Sequence, residues 1–242
     1  MIFSLAQLFH SLLLFKLVVA STVRANASFV PTNTNSRQDE SSKCHPSFCH
    51  GTEFTSKQFL CGDPRLGPSR LPAAGHWTPL LSGYQRLAGL CPSAFLEKWF
   101  NTSTGAYLRA PADGFQLSTA DRPIGGDQVL PRGMLLDAFG TLYDSALWPA
   151  GMPFALRALP PSSLDTPTFD DIVPYNYRVY RVAYPFVVRS GPAAAFFGQP
   201  GQGTMYVTRS SIDMLLQGGL LARVDLNEDG NQVPRGAMSM SR

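Results

Sequence analysis

Residues 177–184 read Tyr-Arg-Val-Tyr-Arg-Val-Ala-Tyr. Aromatic and β-branched residues dominate, and in an extended chain Arg178 and Arg181 fall on opposite faces, which predicts a β-strand. Residues 204–208, Thr-Met-Tyr-Val-Thr, have the same character. Between the two, Gly191-Pro192 and the glycines from Gly198 to Gly203 supply turn chemistry. Just downstream, Ile212, Leu215 and Leu216 share one helical face, with Ser210 and Ser211 to cap the helix and Gly218-Gly219 to end it. The pattern predicts an α+β fold with an antiparallel-rich, twisted β-sheet core within residues 116–224.

Upstream the chain changes character. All four cysteines, Cys44, Cys49, Cys61 and Cys91, lie within residues 43–115, a Gly- and Pro-rich stretch in which residues 92–100 read as a short amphipathic helix capped by Ser93. An even number of cysteines in an exported chain implies two disulfides, and three pairings are open. Cys44-His45, Cys49-His50 and Cys61 are the alternative, as zinc ligands, against which their wide and irregular spacing counts. The expectation is a disulfide-stapled, partly helical N-terminal subdomain, followed by a cysteine-free sheet domain held by an ordinary core.

Export is read from residues 1–20, almost wholly apolar and ending Val-Val-Ala before Ser21, the pattern of a signal peptide. His10 and Lys16 interrupt the run and deny a membrane span its length. Residues 21–42 are rich in Ser, Thr and Asn and poor in large apolar side chains, which predicts a flexible leader. Asn26-Ala-Ser28 and Asn101-Thr-Ser103 are glycosylation sequons. A formal charge of +3 over 242 residues, with no run of Lys or Arg, gives nucleic acid no electrostatic footing as a partner.

The usual catalytic motifs are absent. All four histidines, His10, His45, His50 and His76, precede residue 116, so no Ser/His/Asp or Cys/His arrangement fits inside the sheet domain. There is no Gly-x-Gly-x-x-Gly after a strand, no phosphate loop and no His-rich metal motif. Three other clusters stand out. They are Leu130-Pro-Arg-Gly133 with Leu136-Asp-Ala-Phe-Gly140, Pro149-Ala-Gly-Met-Pro153 with Arg157-Ala-Leu-Pro-Pro161, and Phe196-Phe-Gly-Gln-Pro-Gly-Gln-Gly-Thr204.

The order and spacing of these clusters resemble the catalytic domain of the tuberculosis necrotizing toxin family of NAD glycohydrolases, over about residues 125–224. The Cys-rich segment, including residues 84–96 and 107–115, resembles the fungal branch of that family. The resemblance implies that NAD is the substrate, with NADP a second one, and that no organic cofactor is needed. It implies that Gln199 sits beside the nicotinamide ribose and orients water or substrate, that Arg157 holds the pyrophosphate, and that Phe139 packs on a ring. Gln202, on the same turn as Gln199, is a weaker candidate. The chemistry suits so small a set, because neutral nicotinamide leaves without a general acid and the oxocarbenium-like transition state needs positioning and charge stabilisation. A planar guanidinium suits a diphosphate through its paired donors.

The chain departs from that pattern at Ala138, where many members carry Arg, and at Ala146, where the alignment calls for an aromatic residue. Tyr143 or Trp148 is the candidate to supply the missing aromatic surface. Arg178 falls where some bacterial members have His, and reads equally as a solvated strand residue. Taken singly, Phe139 is a core residue, Arg157 a surface charge and Gln199 a turn residue; only together do they make a site.

The C-terminal tail, residues 225–242, opens with Asp225-Leu-Asn-Glu-Asp-Gly230. Asp225, Asn227 and Asp229 occupy positions 1, 3 and 5 of an EF-hand-type calcium loop, with Gly230 at position 6. Position 12 is Gly236, so Glu228, a carbonyl or water has to complete the shell of a structural or modulatory calcium. The sequence therefore predicts a secreted or cell-surface NAD(P) glycohydrolase, with a homodimer as a further expectation. Two alternatives share the fold: a non-enzymatic surface or interaction protein, favoured by Ala138 and Ala146, and an ADP-ribosyltransferase.

Overall fold

The computed structural model describes residues 44–166 and 174–226. They lie within one compact unit. Among them the chain forms β1 (Phe100–Asn101), β2 (Ala106–Tyr107), β3 (Gly126–Leu130), β4 (Leu135–Phe139) and β5 (Ala146–Pro149). β6 (Tyr177–Val182), β7 (Phe186–Pro192), β8 (Thr204–Val207) and β9 (Leu221–Val224) follow. β1 and β2 pair as a two-stranded ribbon. The other seven form a single sheet in the order β3-β7-β8-β5-β4-β6-β9, every neighbouring pair antiparallel.

The expected strand at 177–184 is β6, and its alternation assigns its two faces. Tyr180 and Val182 enter the main core with Leu136, Leu147, Val188 and Tyr206, while Tyr177, one face over, points to the side of β4 that carries Asp137 and Phe139. The predicted helix spans Ile212–Gln217, where the Ser211 hydroxyl accepts the Met214 N–H and Ile212 and Leu215 pack into the same core. The helix in the stapled region covers Pro92–Trp99, but Ser93 does not cap it. Cys91 takes the cap position and Pro92 the first helical one, where its missing N–H costs nothing.

The disulfides join Cys44 to Cys91 and Cys49 to Cys61, which consumes all four thiols and removes the zinc alternative. They enclose a second core of Leu66, Leu87, Phe95 and Leu96. Phe197, from the turn between β7 and β8, is buried in that core, so the stapled region and the sheet share side chains. Among the described residues no helix is long and apolar enough to cross a membrane. The signal and leader segments and Asn26 lie outside the described residues, as do Asn227, Glu228 and Asp229.

Candidate functional site

The first centre is built on β4. Asp137 and Phe139 alternate onto one face of that strand, and Ala138 onto the other, within the main core and opposite Arg178 of β6. A short 3-10 turn, Phe154–Arg157, then ends at Ala158 in the left-handed conformation (φ 52°) and aims Arg157 back at the strand. Its Nη1 donates to Asp137 Oδ1 at 2.5 Å and its Nη2 to Asp137 Oδ2 at 2.9 Å, while Nε and Nη2 both donate to Met152 O. Phe139 and Trp148 flank the guanidinium, 4.9 and 5.3 Å from its carbon. Asp137 also accepts the Gly151 N–H at 2.8 Å and the Tyr177 hydroxyl at 2.9 Å. Burial, and then the Asp137 charge, push the Tyr177 phenol far above its ordinary range, so it stays a donor.

This pair is closed to solvent: neither the Arg157 nor the Asp137 side chain has exposed surface. The pyrophosphate role implied for Arg157 asks for donors turned outward, and here they are turned inward onto Asp137 and Met152. A buried ion pair in which every guanidinium nitrogen is bonded fixes geometry. Phe139 is equally interior, edge-on to Phe154 at 5.0 Å and tilted against Tyr177 at 4.8 Å. Trp148 is buried with Phe115, Ala193 and Met205, and Ala146 packs on that cluster. Tyr143 is 83% exposed in the loop between β4 and β5. It sits apart from the buried cluster.

The second centre is the Phe196–Gly203 segment. Gln199 is 3% exposed, its N–H donates to Phe196 O, and its Nε2 donates to Gln85 O at 2.5 Å. Because a backbone carbonyl can only accept, that bond fixes which end of the carboxamide is nitrogen. Gly198, with φ of +69°, lies so close to Ala88 that a Cβ there would overlap the alanine methyl. Gln202 also has positive φ (69°) and is exposed, with its N–H donating to Ala193 O. The two centres meet at Gly203, whose N–H donates to Leu156 O at 2.9 Å. A Cβ at Gly203 would stand 2.7 Å from that oxygen, so only glycine lets the Arg157 turn and the Gln199 turn close on each other.

The structure thus gathers Phe139, Trp148, Arg157 and the Gln199 turn, and leaves Tyr143 outside. It adds residues that the sequence reading did not single out. Asp137 lay in a quoted motif, and its position two residues before Phe139 is the signal that places both on one face. Met152 serves through its backbone and Gln85 through its backbone from 114 residues away, so neither carries a side-chain signal.

Comparison with known proteins identifies the family. Residues 129–224 match the family profile described as Tuberculosis necrotizing toxin. The chain is 45% identical over 193 residues to the conidial surface nicotinamide adenine dinucleotide glycohydrolase nadA of Aspergillus fumigatus, covering 79% of this chain and 82% of that one. It is similar to the solved tuberculosis necrotizing toxin in complex with its immunity factor at a TM-score of 0.41 and 18% identity, over 60% of this chain and 76% of that one. With nearly half its aligned residues shared with the Aspergillus protein and its late motifs within the toxin profile, the chain belongs to the tuberculosis necrotizing toxin family, in the branch of the fungal NAD glycohydrolases.

Proposed function

We propose that this chain is a secreted or cell-surface glycohydrolase that cleaves NAD, and secondarily NADP, to nicotinamide and ADP-ribose. The observation that carries the reading is the identity with the Aspergillus glycohydrolase across both the stapled region and the sheet. The bond from ribose C1′ to the pyridinium nitrogen breaks, its electron pair neutralises the ring, and water adds to C1′ and releases a proton. Gln199 suits this step: with Nε2 held by Gln85, its carboxamide oxygen is the end available to a positive ribose or to the attacking water. Arg157 acts as a positioning residue. Its pairing with Asp137 and its backbone bonds to Met152 set the floor on which the Gln199 turn rests through Leu156 and Gly203.

The test is nicotinamide release from NAD by the secreted protein at micromolar concentration, with Gln199→Ala as control. Release with stoichiometric ADP-ribose is expected, and Gln199→Ala is expected to lose about 10²-fold in kcat, the scale for removing one preorganised polar group. Ala138 and Ala146 favour the second reading, a non-enzymatic surface protein, and absence of release decides for it. Release without free ADP-ribose decides for transfer.

Around this activity stand a cleaved signal peptide, glycosylation at Asn26 and Asn101, a homodimer, and calcium bound by Asp225, Asn227, Glu228 and Asp229. Asn101 is exposed, and its Oδ1 accepts the Ser103 N–H in a surface turn, a setting open to a glycan. Asp225 is exposed just beyond β9. Chelation is expected to lower the Tm of the wild type and leave Asp225→Ala unmoved; equal shifts in both contradict a calcium loop.

A further inference from the structure

Cys91 stands between two stretches of chain that both grip the Gln199 turn. Before it, residues 85–90 form two successive tight turns, the Ala88 N–H donating to Gln85 O at 3.1 Å and the Leu90 N–H to Leu87 O at 2.9 Å. The Gln85 carbonyl thus accepts two donors, since Gln199 Nε2 reaches it at 2.5 Å. Ala88, in the left-handed region at φ 51°, turns its methyl onto Gly198, and Leu87 is buried in one core with Phe197.

After Cys91 the helix Pro92–Trp99 begins, its Phe95 N–H donating to Cys91 O at 2.9 Å. It sends Phe95 and Leu96 into the core that holds Phe197, and its last residue, Trp99, lies 4.7 Å from the Phe196 ring and 5.5 Å from the Phe197 ring. A displacement at Cys91 therefore reaches the turn from both sides. What fixes Cys91 is its bridge to Cys44. The stretch that follows Cys44 lies against the start of the helix, where a Cβ at Gly51 would stand 3.0 Å from Ser93 Cβ. The sheet has a core of its own, with Leu136, Leu147, Tyr180, Val182, Val188 and Tyr206, to which no residue of the stapled region contributes.

We propose that the Cys44–Cys91 disulfide is a redox switch on the Gln199 carboxamide: bridged, it holds the turn in register, and reduced to two thiols it releases it. A dithiol reductant opens the bridge, one thiolate attacking a bridge sulfur and the second displacing the first. The reductant leaves as a cyclic disulfide, and its two electrons and two protons pass to Cys44 and Cys91. Glutathione disulfide reverses the step and is itself reduced to two glutathione thiols. A chain so built is switched off where thiols stay reduced and on where disulfides persist. The effect on catalysis rests on the NAD-cleaving reading, whereas the effect on Gln199 rests on contacts alone.

The test reads kcat for nicotinamide release beside two sets of resonances in nitrogen-15-labelled protein. These are the Gln199 side-chain amide, assigned by its loss in Gln199→Ala, and the backbone amides of β6. Dithiothreitol is the reductant, and Cys49→Ser/Cys61→Ser keeps only the long bridge. In wild type and in that variant, reduction lowers kcat at least about tenfold, moves the Gln199 amide to the position of a solvated carboxamide and leaves the β6 amides dispersed. Glutathione disulfide restores both kcat and the resonance. Cys44→Ser/Cys91→Ser is low in kcat with or without reductant.

Reduced wild type that keeps its kcat, or its Gln199 resonance, overturns the proposal. Loss of the β6 dispersion together with activity also overturns it, because the bridge is then a staple of the whole fold. So does a Cys44→Ser/Cys91→Ser protein with the kcat of wild type; if that variant fails to fold, reduction of Cys49→Ser/Cys61→Ser decides. An oxidised wild type whose Gln199 resonance follows the bridge but which releases no nicotinamide removes the NAD-cleaving reading and leaves the coupling to Gln199 standing.

Discussion

Arg157 and Asp137 carry the densest set of interactions at the level of single residues. Every nitrogen of the guanidinium donates to Asp137 or Met152, and its carbon lies 4.9 and 5.3 Å from the Phe139 and Trp148 rings. Asp137→Asn keeps the shape but leaves the Arg157 charge uncompensated in the interior, at a cost of about 3–5 kcal/mol in urea unfolding. A loss under about 1 kcal/mol contradicts the pairing. Arg157→Lys is no milder, because an ammonium cannot match two carboxylate oxygens and a carbonyl at once. The sequence showed Arg157 as chemistry-bearing through the motif it belongs to. Nothing in the motif tells whether its donors face a substrate or a neighbouring strand, since that depends on which face of β4 carries Asp137.

Among the elements, the Phe196–Gly203 turn joins the two parts of the molecule. Phe197 is driven into the stapled core, Gly198 abuts Ala88, and Gln199 is bonded to Gln85. Gly198→Ala adds a methyl where there is none of the space for it and at positive φ, so the turn shifts. We expect kcat to fall more than tenfold while the Tm drops only a few degrees; unchanged kcat contradicts the docking. The Cys44–Cys91 bridge spans 47 residues and anchors the end of the segment that meets this turn, whereas Cys49–Cys61 spans 12. Chain-entropy reasoning assigns the long bridge about 4 kcal/mol and the short one about 3. Removing the long one as a Ser pair is therefore the more damaging in denaturant unfolding, and the reverse order contradicts this. The helix Ile212–Gln217 and strand β6 were legible because each writes its period into a few adjacent residues. The faces of β4 were not: four of its five residues are buried, on both faces, so no alternation survives to be read. The docking of the turn on residues 84–88 has a sequence separation above 100 and leaves no local trace.

For the molecule as a whole, two carboxylates act on stability with opposite sign. Burial works against the ionisation of Asp63, but hydrogen bonds from the Arg65 side chain and from the Glu53 and Arg65 amides more than offset it, holding its carboxyl below the usual range. Its contribution is present at neutral pH and is lost in acid. Asp165 is raised instead, so its contribution is present in acid and is lost as pH rises through about 7. The Tm is therefore expected to peak on the acid side of neutrality, and wild type is expected to lose stability relative to Asp165→Asn between about pH 5 and about pH 8. Parallel melting curves for the two proteins contradict this. In the proposed reading the carboxamide of Gln199, its Nε2 donating to the Gln85 carbonyl, is the polar group that serves cleavage of the glycosidic bond. Nicotinamide released from NAD by wild type and by Gln199→Ala, each shown folded by its melting curve, tests that account most directly. Steady release by wild type with a loss of about 10²-fold in the variant is predicted; equal release by the two folded proteins, or none by wild type, contradicts it.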